Sequence, residues 1–156
     1  MKKAIALILT LVLSVSFGMT GSVQAQEAED LVCVDGSYLL DDASESTGEI
    51  QIMPRGYYLK SGTSTITKPG DGKIGVGGST TGQRFVDEIS VTVKVQWLDN
   101  GVWRNYHTWS AAKTNAAYVS TSKELTVPRG YYYRVSCSHY ASSDSGHSYT
   151  DALYIK

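Results

Sequence analysis

The chain has 156 residues, with 14 Lys plus Arg against 15 Asp plus Glu, 42% apolar residues, 15 Gly, 11 Tyr, 3 Trp and only 2 Cys. That length suits a single domain able to bury a core without metals or many disulfides. A near-neutral balance without a basic cluster argues against a nucleic-acid binder.

The N-terminus carries the first clear signal. Lys2 and Lys3 precede a mostly apolar run, Ala4 to Phe17, and then the small-residue pattern Val23-Gln24-Ala25. Charge, apolar run and small residues in that order predict a signal peptide over residues 1–25, cut before Gln26. The run is short for a bilayer span. With the leader removed, no membrane association is expected, and the localisation implied is secreted and extracellular. Removing 25 of 156 residues leaves 131, and removing two of 14 basic residues leaves 12 against 15 acidic, about −3 net.

That charge is uneven. Eight acidic residues and no basic one lie between Glu27 and Glu49. Residues 26–49 are therefore expected to form an acidic, mostly irregular arm, with Asp41 to Gly48 a polar loop. Leu31 to Val34 reads as a short strand. Tyr38-Leu39-Leu40 forms an apolar island that could pin the arm to the domain.

From Ile50 to Lys156 short apolar runs alternate with turn signals. Strands are expected at 50–53, 57–60, 64–67, 73–76, 88–98, 102–109, 117–120, 123–127, 131–140 and 148–155. Separators include Pro69-Gly70-Asp71-Gly72, Gly77-Gly78, Asp99-Asn100-Gly101 and Pro128-Arg129-Gly130, each with a Gly that tolerates positive φ. This spacing predicts an all-β fold: one immunoglobulin- or fibronectin-III-like β-sandwich over residues 50–156, preceded by the acidic arm.

Val91, Val93, Val95 and Trp97 alternate with Thr92, Lys94 and Gln96, marking a strand with one buried face. Asn100-Gly101 then closes a hairpin. The favoured register uses a three-residue loop, placing Trp103 opposite Trp97 and Trp109 opposite Val91, with all three Trp in the core. A two-residue turn would bring Tyr106 inward instead. In the strand 131–140, Val135 and Cys137 share one face, and Tyr132, Arg134 and Tyr140 share the outward one.

Several segments also match in order. Val34-Asp35-Gly36-Ser37-Tyr38-Leu39, Arg55-Gly56-Tyr57-Tyr58-Leu59, Asn100-Gly101 with Trp103, and Gly130 to Val135 with His139 resemble a family of small secreted proteins of mostly Gram-positive bacteria, catalogued as a domain of unknown function. The resemblance spans nearly the whole chain after the leader. It implies an exported β protein and supplies no catalytic residues.

Catalytic patterns are weak. No Gly-x-Ser-x-Gly elbow surrounds any Ser, and Cys137 sits in an alternating strand, where burial disfavours a thiolate. Cys33, Cys137, His139 and His147 lack paired zinc-knuckle spacing, and the acidic residues match no calcium loop. No metal, no cofactor and no enzymatic activity are expected. Cys33 and Cys137 are expected to form a disulfide, since the chain is read as leaving the cytosol. The function expected is a secreted, non-enzymatic interaction protein acting at or near the cell surface on a protein or glycan. A carbohydrate-binding module and an exported antagonist or toxin are the alternatives. Candidate ligand-binding residues are Tyr132, Arg134, His139 and Tyr140, because exposed Tyr and Arg recur at binding surfaces.

Overall fold

A computed structural model describes residues 31–50 and 57–156. The leader, Arg55-Gly56 of the Arg55 to Leu59 segment and all but Ile50 of the expected strand at 50–53 lie outside those residues. The described residues form nine strands and no helix. They are β1 (Cys33–Val34), β2 (Ser37–Leu40), β3 (Glu45–Glu49), β4 (Leu59–Gly70), β5 (Lys73–Asp99), β6 (Val102–Thr126), β7 (Tyr131–Ala141), β8 (Asp144–Tyr149) and β9 (Ala152–Ile155). The all-β expectation holds.

The expected sandwich of two sheets does not appear. One curled sheet runs β1-β2-β9-β7-β5-β4-β3, with β6 on β5 and β8 on β7, and it forms a half-barrel. The reason lies in β5. Its first half pairs with β4 and its second half with β7, while β6 follows it along its whole length. Partners change across a register shift between Thr81 and Val86. Asn115, at φ 47° in the opposing stretch of β6, supplies the matching irregularity, since Asn tolerates the left-handed region better than most residues. A single bent hairpin thus supplies both walls.

The walls enclose one core. Val91, Val93 and Val95 are fully buried, as are Ile66, Ile74, Ile89, Val135 and Leu153. Each valine contributes roughly 2 kcal/mol by leaving water. Alternation along β5 therefore predicts its buried face correctly. Gly77-Gly78 does not end a strand, however. It lies inside β5, paired with β4 and β6. A Cβ at Gly78 would come within 2.6 Å of Cys137 Sγ, so close packing rather than chain reversal requires glycine there.

The β5–β6 turn is the two-residue alternative. Asp99 pairs with Val102, and Asn100 and Gly101 both have positive φ, the type I′ pattern. A bulge at Tyr106 then shifts the pairing: Gln96 faces Asn105, and Val95 faces His107. Trp109 therefore sits opposite Val93 and Trp103 opposite Leu98. The register expected from a three-residue loop is replaced for that reason.

The acidic arm is also more ordered than its composition suggests. Glu45–Glu49 pairs with Thr63–Thr67 of β4. Its Glu45, Thr47 and Glu49 side chains face water, while Ser46 and Gly48 turn inward. Ser46 Oγ accepts a hydrogen bond from the Asp151 amide at 2.9 Å. A Cβ at Gly48 would collide with the Tyr149 carbonyl. These contacts close the half-barrel on one side. Leu39 and Leu40 pair in parallel with Ala152 and Leu153, so the apolar island joins the sheet.

Candidate functional site

The four residues expected to bind ligand do not form one surface. On β7, Tyr132, Arg134 and Tyr140 occupy the outer face, and His139 points into the core. Tyr140 is exposed and Tyr132 half-buried. The Tyr132 hydroxyl donates to Asp41, and this bond to a carboxylate raises its pKa to about 12.

Arg134 is only 2% exposed, which removes it as a ligand contact. The β1–β2 hairpin covers it. That hairpin turns through Asp35 and Gly36, both at positive φ. Arg134 Nε donates to Gln96 Oε1 at 3.0 Å, Nη1 to the Asp35 carbonyl at 2.8 Å and Ser37 Oγ at 3.1 Å, and Nη2 to Asp35 Oδ2 at 3.2 Å. Its guanidinium lies 4.3 Å from the Trp103 ring centre and 5.4 Å from that of Tyr149. Trp103 Nε1 in turn donates to the Val34 carbonyl at 3.0 Å. Burial lowers the pKa of Arg134, and Asp35 opposes that shift. Every nitrogen of the side chain is engaged, so this arginine is a clamp on the hairpin.

His139 is 1% exposed and cannot meet a ligand either. Thr80 Oγ1 donates to the Ser90 carbonyl at 2.9 Å and sits 2.9 Å from His139 Nδ1. The threonine proton is therefore used, and Nδ1–H is the donor to Thr80. Nε2 then accepts from Ser148 Oγ at 2.8 Å. The ring packs against Gly62, where a Cβ would come within 2.5 Å. Burial, and then the neighbouring His147, push the His139 pKa down to about 4. A neutral imidazole beside a serine hydroxyl has the parts of a nucleophile–base pair. Here Ser148 is also 1% exposed, so no acyl group can approach its oxygen.

The expected disulfide is absent: Cys33 and Cys137 are both free. Cys137 is fully buried at the middle of β7, opposite Val93, and its Sγ lies 3.8 Å from the Gly77 carbonyl. Burial raises its pKa to about 12. Cys33 is exposed on β1, with β2 and β9 between it and β7. Among the described residues no group of three or more His, Cys, Asp or Glu side chains is gathered for a metal.

The exposed chemistry lies elsewhere, along β6. Its two halves meet through their side chains. Trp109 Nε1 donates to Thr121 Oγ1 at 2.9 Å, and the Tyr106 hydroxyl donates to the Thr126 carbonyl at 3.3 Å. Lys123 Nζ lies 3.3 Å from His107 Nε2 and 4.7 Å from the Trp109 ring centre. Tyr106 meets the buried Tyr133 ring edge-on, with centroids 5.8 Å apart. Tyr106 and Lys123 are exposed, and His107, Trp109 and Thr121 are half-buried. Trp109 packs against the core, as its sequence position suggests, but the seam itself leaves no signal in the sequence, because residues 106–109 and 121–123 meet only after β6 bends.

Comparisons with known proteins give a family and little more. The crystal structure of Spo0M, a sporulation control protein from Bacillus subtilis, is similar at 10% identity and a TM-score of 0.35, over 73% of this chain and 50% of that one. The chain thus spans about half the length of that structure. No curated protein matches it. The model of a family of unknown function, DUF6147, matches residues 25–153, and the chain belongs to that family.

Proposed function

We propose that this chain is exported by its leader and acts outside the cell as a non-enzymatic interaction protein, at or near the cell surface. The leader pattern of Lys2, Lys3, the apolar run and Val23-Gln24-Ala25 supports export. A binding role is favoured over catalysis by where the polar side chains lie. His139 and Ser148, which could form a reactive pair, are enclosed and satisfied by one another. The side chains suited to recognition stand on the β6 seam, and this is the observation that carries the proposal: Tyr106, His107, Trp109 and Lys123 are gathered at an accessible edge.

The experiment is recovery of the protein from culture medium, mass measurement, and incubation of the recovered protein with intact cells. A mass starting at Gln26 and retention on cells, reduced in Trp109→Leu, are expected. Retention of the full leader inside the cell, or no binding to any cell surface, overturns the proposal. The partner is a protein or a glycan. Half-buried aromatic rings beside hydroxyl and amine donors favour a glycan, since aromatic faces suit the apolar faces of sugars.

A further inference from the structure

Strand β6 runs for 25 residues and pairs with β5 alone. Its seam side chains rest on the core through Trp109 and Tyr106 and are held to one another above it. Thr121 holds the indole of Trp109, and the indole face and His107 together hold the ammonium of Lys123. Among the described residues Lys123 makes no ion pair, whereas the nearby Lys73 is paired with Glu124 at 2.9 Å. A cation that is positioned and not neutralised is an anchor for an anion. Its side-chain freedom is already restricted, which lowers the entropic cost of binding.

His107 adds a second donor. Its Nε2 accepts from the Lys123 ammonium, which leaves the ring proton on Nδ1, where no described residue takes it. Tyr106, next along the strand, exposes part of its ring while its hydroxyl is tied to Thr126. The seam therefore offers a fixed positive charge, a hydrogen-bond donor and an aromatic surface side by side. A neutral sugar leaves the charge unused, and an inorganic anion leaves the ring unused.

We propose that this seam, formed by Tyr106, His107, Trp109, Thr121 and Lys123, is a binding site for an anionic saccharide. Its negative group sits at the Lys123 ammonium and its sugar ring lies against the Tyr106 edge of the seam. A carboxylate on a uronic acid and a phosphodiester between sugars present the same single charge, and both satisfy the site. This inference rests on the proposed extracellular binding role and narrows it to one ligand class.

The test is calorimetric titration of the purified protein with tetragalacturonate, with a glucosylated glycerol-phosphate oligomer and with maltotetraose. Binding of at least one anionic oligomer is expected, at least about tenfold tighter than maltotetraose and weakened by added salt. Lys123→Met is expected to cut that affinity by about tenfold or more, and Lys60→Met, at an exposed lysine outside the seam, to leave it unchanged. The two anionic probes distinguish a carboxylate ligand from a phosphodiester. Equal binding of maltotetraose, no binding of either anionic oligomer, or equal losses in Lys123→Met and Lys60→Met overturns the inference. Cell retention separates the two levels. If wild type and Lys123→Met are retained equally, the seam assignment falls and the extracellular role stands. If neither is retained, the extracellular role itself falls.

Discussion

Two places in this molecule put a cation over a tryptophan, and they are built in opposite ways. At Arg134 the guanidinium lies 4.3 Å from Trp103, is 2% exposed and spends all three nitrogens on Gln96, Asp35 and Ser37. At Lys123 the ammonium lies 4.7 Å from Trp109, faces solvent and has, among the described residues, His107 as its single hydrogen-bond partner. The first arrangement is closed by a hairpin laid across it; the second is left open at a bent edge strand. The same contact therefore serves as a fastener where its donors are saturated and as a display where they are not. Exposure of the partner charge matters as well. Asp35 is 81% exposed, so the strength of the Arg134 clamp comes from hydrogen bonding and packing more than from the ion pair.

The sharpest way to break this contrast is to remove the closed cation. Arg134→Met should destabilise the fold by about 3 kcal/mol, since it deletes four hydrogen bonds and leaves the Asp35 turn unanchored. Denaturant unfolding measures it, and a loss under about 1 kcal/mol would refute the clamp.

An effect of similar size is expected on acidification. His139 titrates at about 4 in the fold, against about 6.5 in an unfolded chain. Between those values the unfolded state binds the extra proton. Stability is then full above about pH 6.5 and falls as pH drops toward 4, by roughly 3 kcal/mol at about 1.4 kcal/mol per pH unit. Below that pH both states are protonated and this contribution stays flat. Unfolding curves across the range, compared with His139→Gln, check it: the variant should lose most of that slope.

Gly62→Ala should cost about 1–3 kcal/mol, because the new methyl meets the His139 ring. A raised His139 pKa in that variant, followed by NMR, would locate the damage at the ring. The smallest effect is at the open cation. Lys123→Met should change stability by less than about 0.5 kcal/mol, as exposed substitutions usually do. A large loss there would make the seam structural and erase the difference between the two sites.

Much of the framework is legible in the residues. The Val91-Val93-Val95 alternation marks the buried face of β5, Pro69 to Gly72 reverses the chain, and Tyr131 to Tyr140 is a strand. What escapes has physical causes. Arg134 occupies an alternation position that reads as outward, and it is outward on its own sheet; it is buried because a hairpin about a hundred residues earlier folds over it. Glycine at 77 and 78 resembles a turn because the sequence does not show Cys137 packed against it. The register of the β5–β6 hairpin depends on one bulged residue, Tyr106, and a bulge of a single residue leaves no mark in a period-two pattern. The β6 seam is invisible for a related reason. Its contacting residues are 12 to 20 positions apart, and the bend near Asn115 brings them together.

A pair of double-mutant cycles tests the contrast most directly, one coupling Arg134 to Trp103 and the other Lys123 to Trp109, each read by equilibrium unfolding. Desolvated cation–aromatic contacts reach about 2 kcal/mol and exposed ones about 0.5–1. The Arg134–Trp103 coupling should therefore come out near 2 kcal/mol and the Lys123–Trp109 coupling at about 0.5–1. A Lys123–Trp109 coupling equal to or larger than that of Arg134–Trp103 would contradict the account.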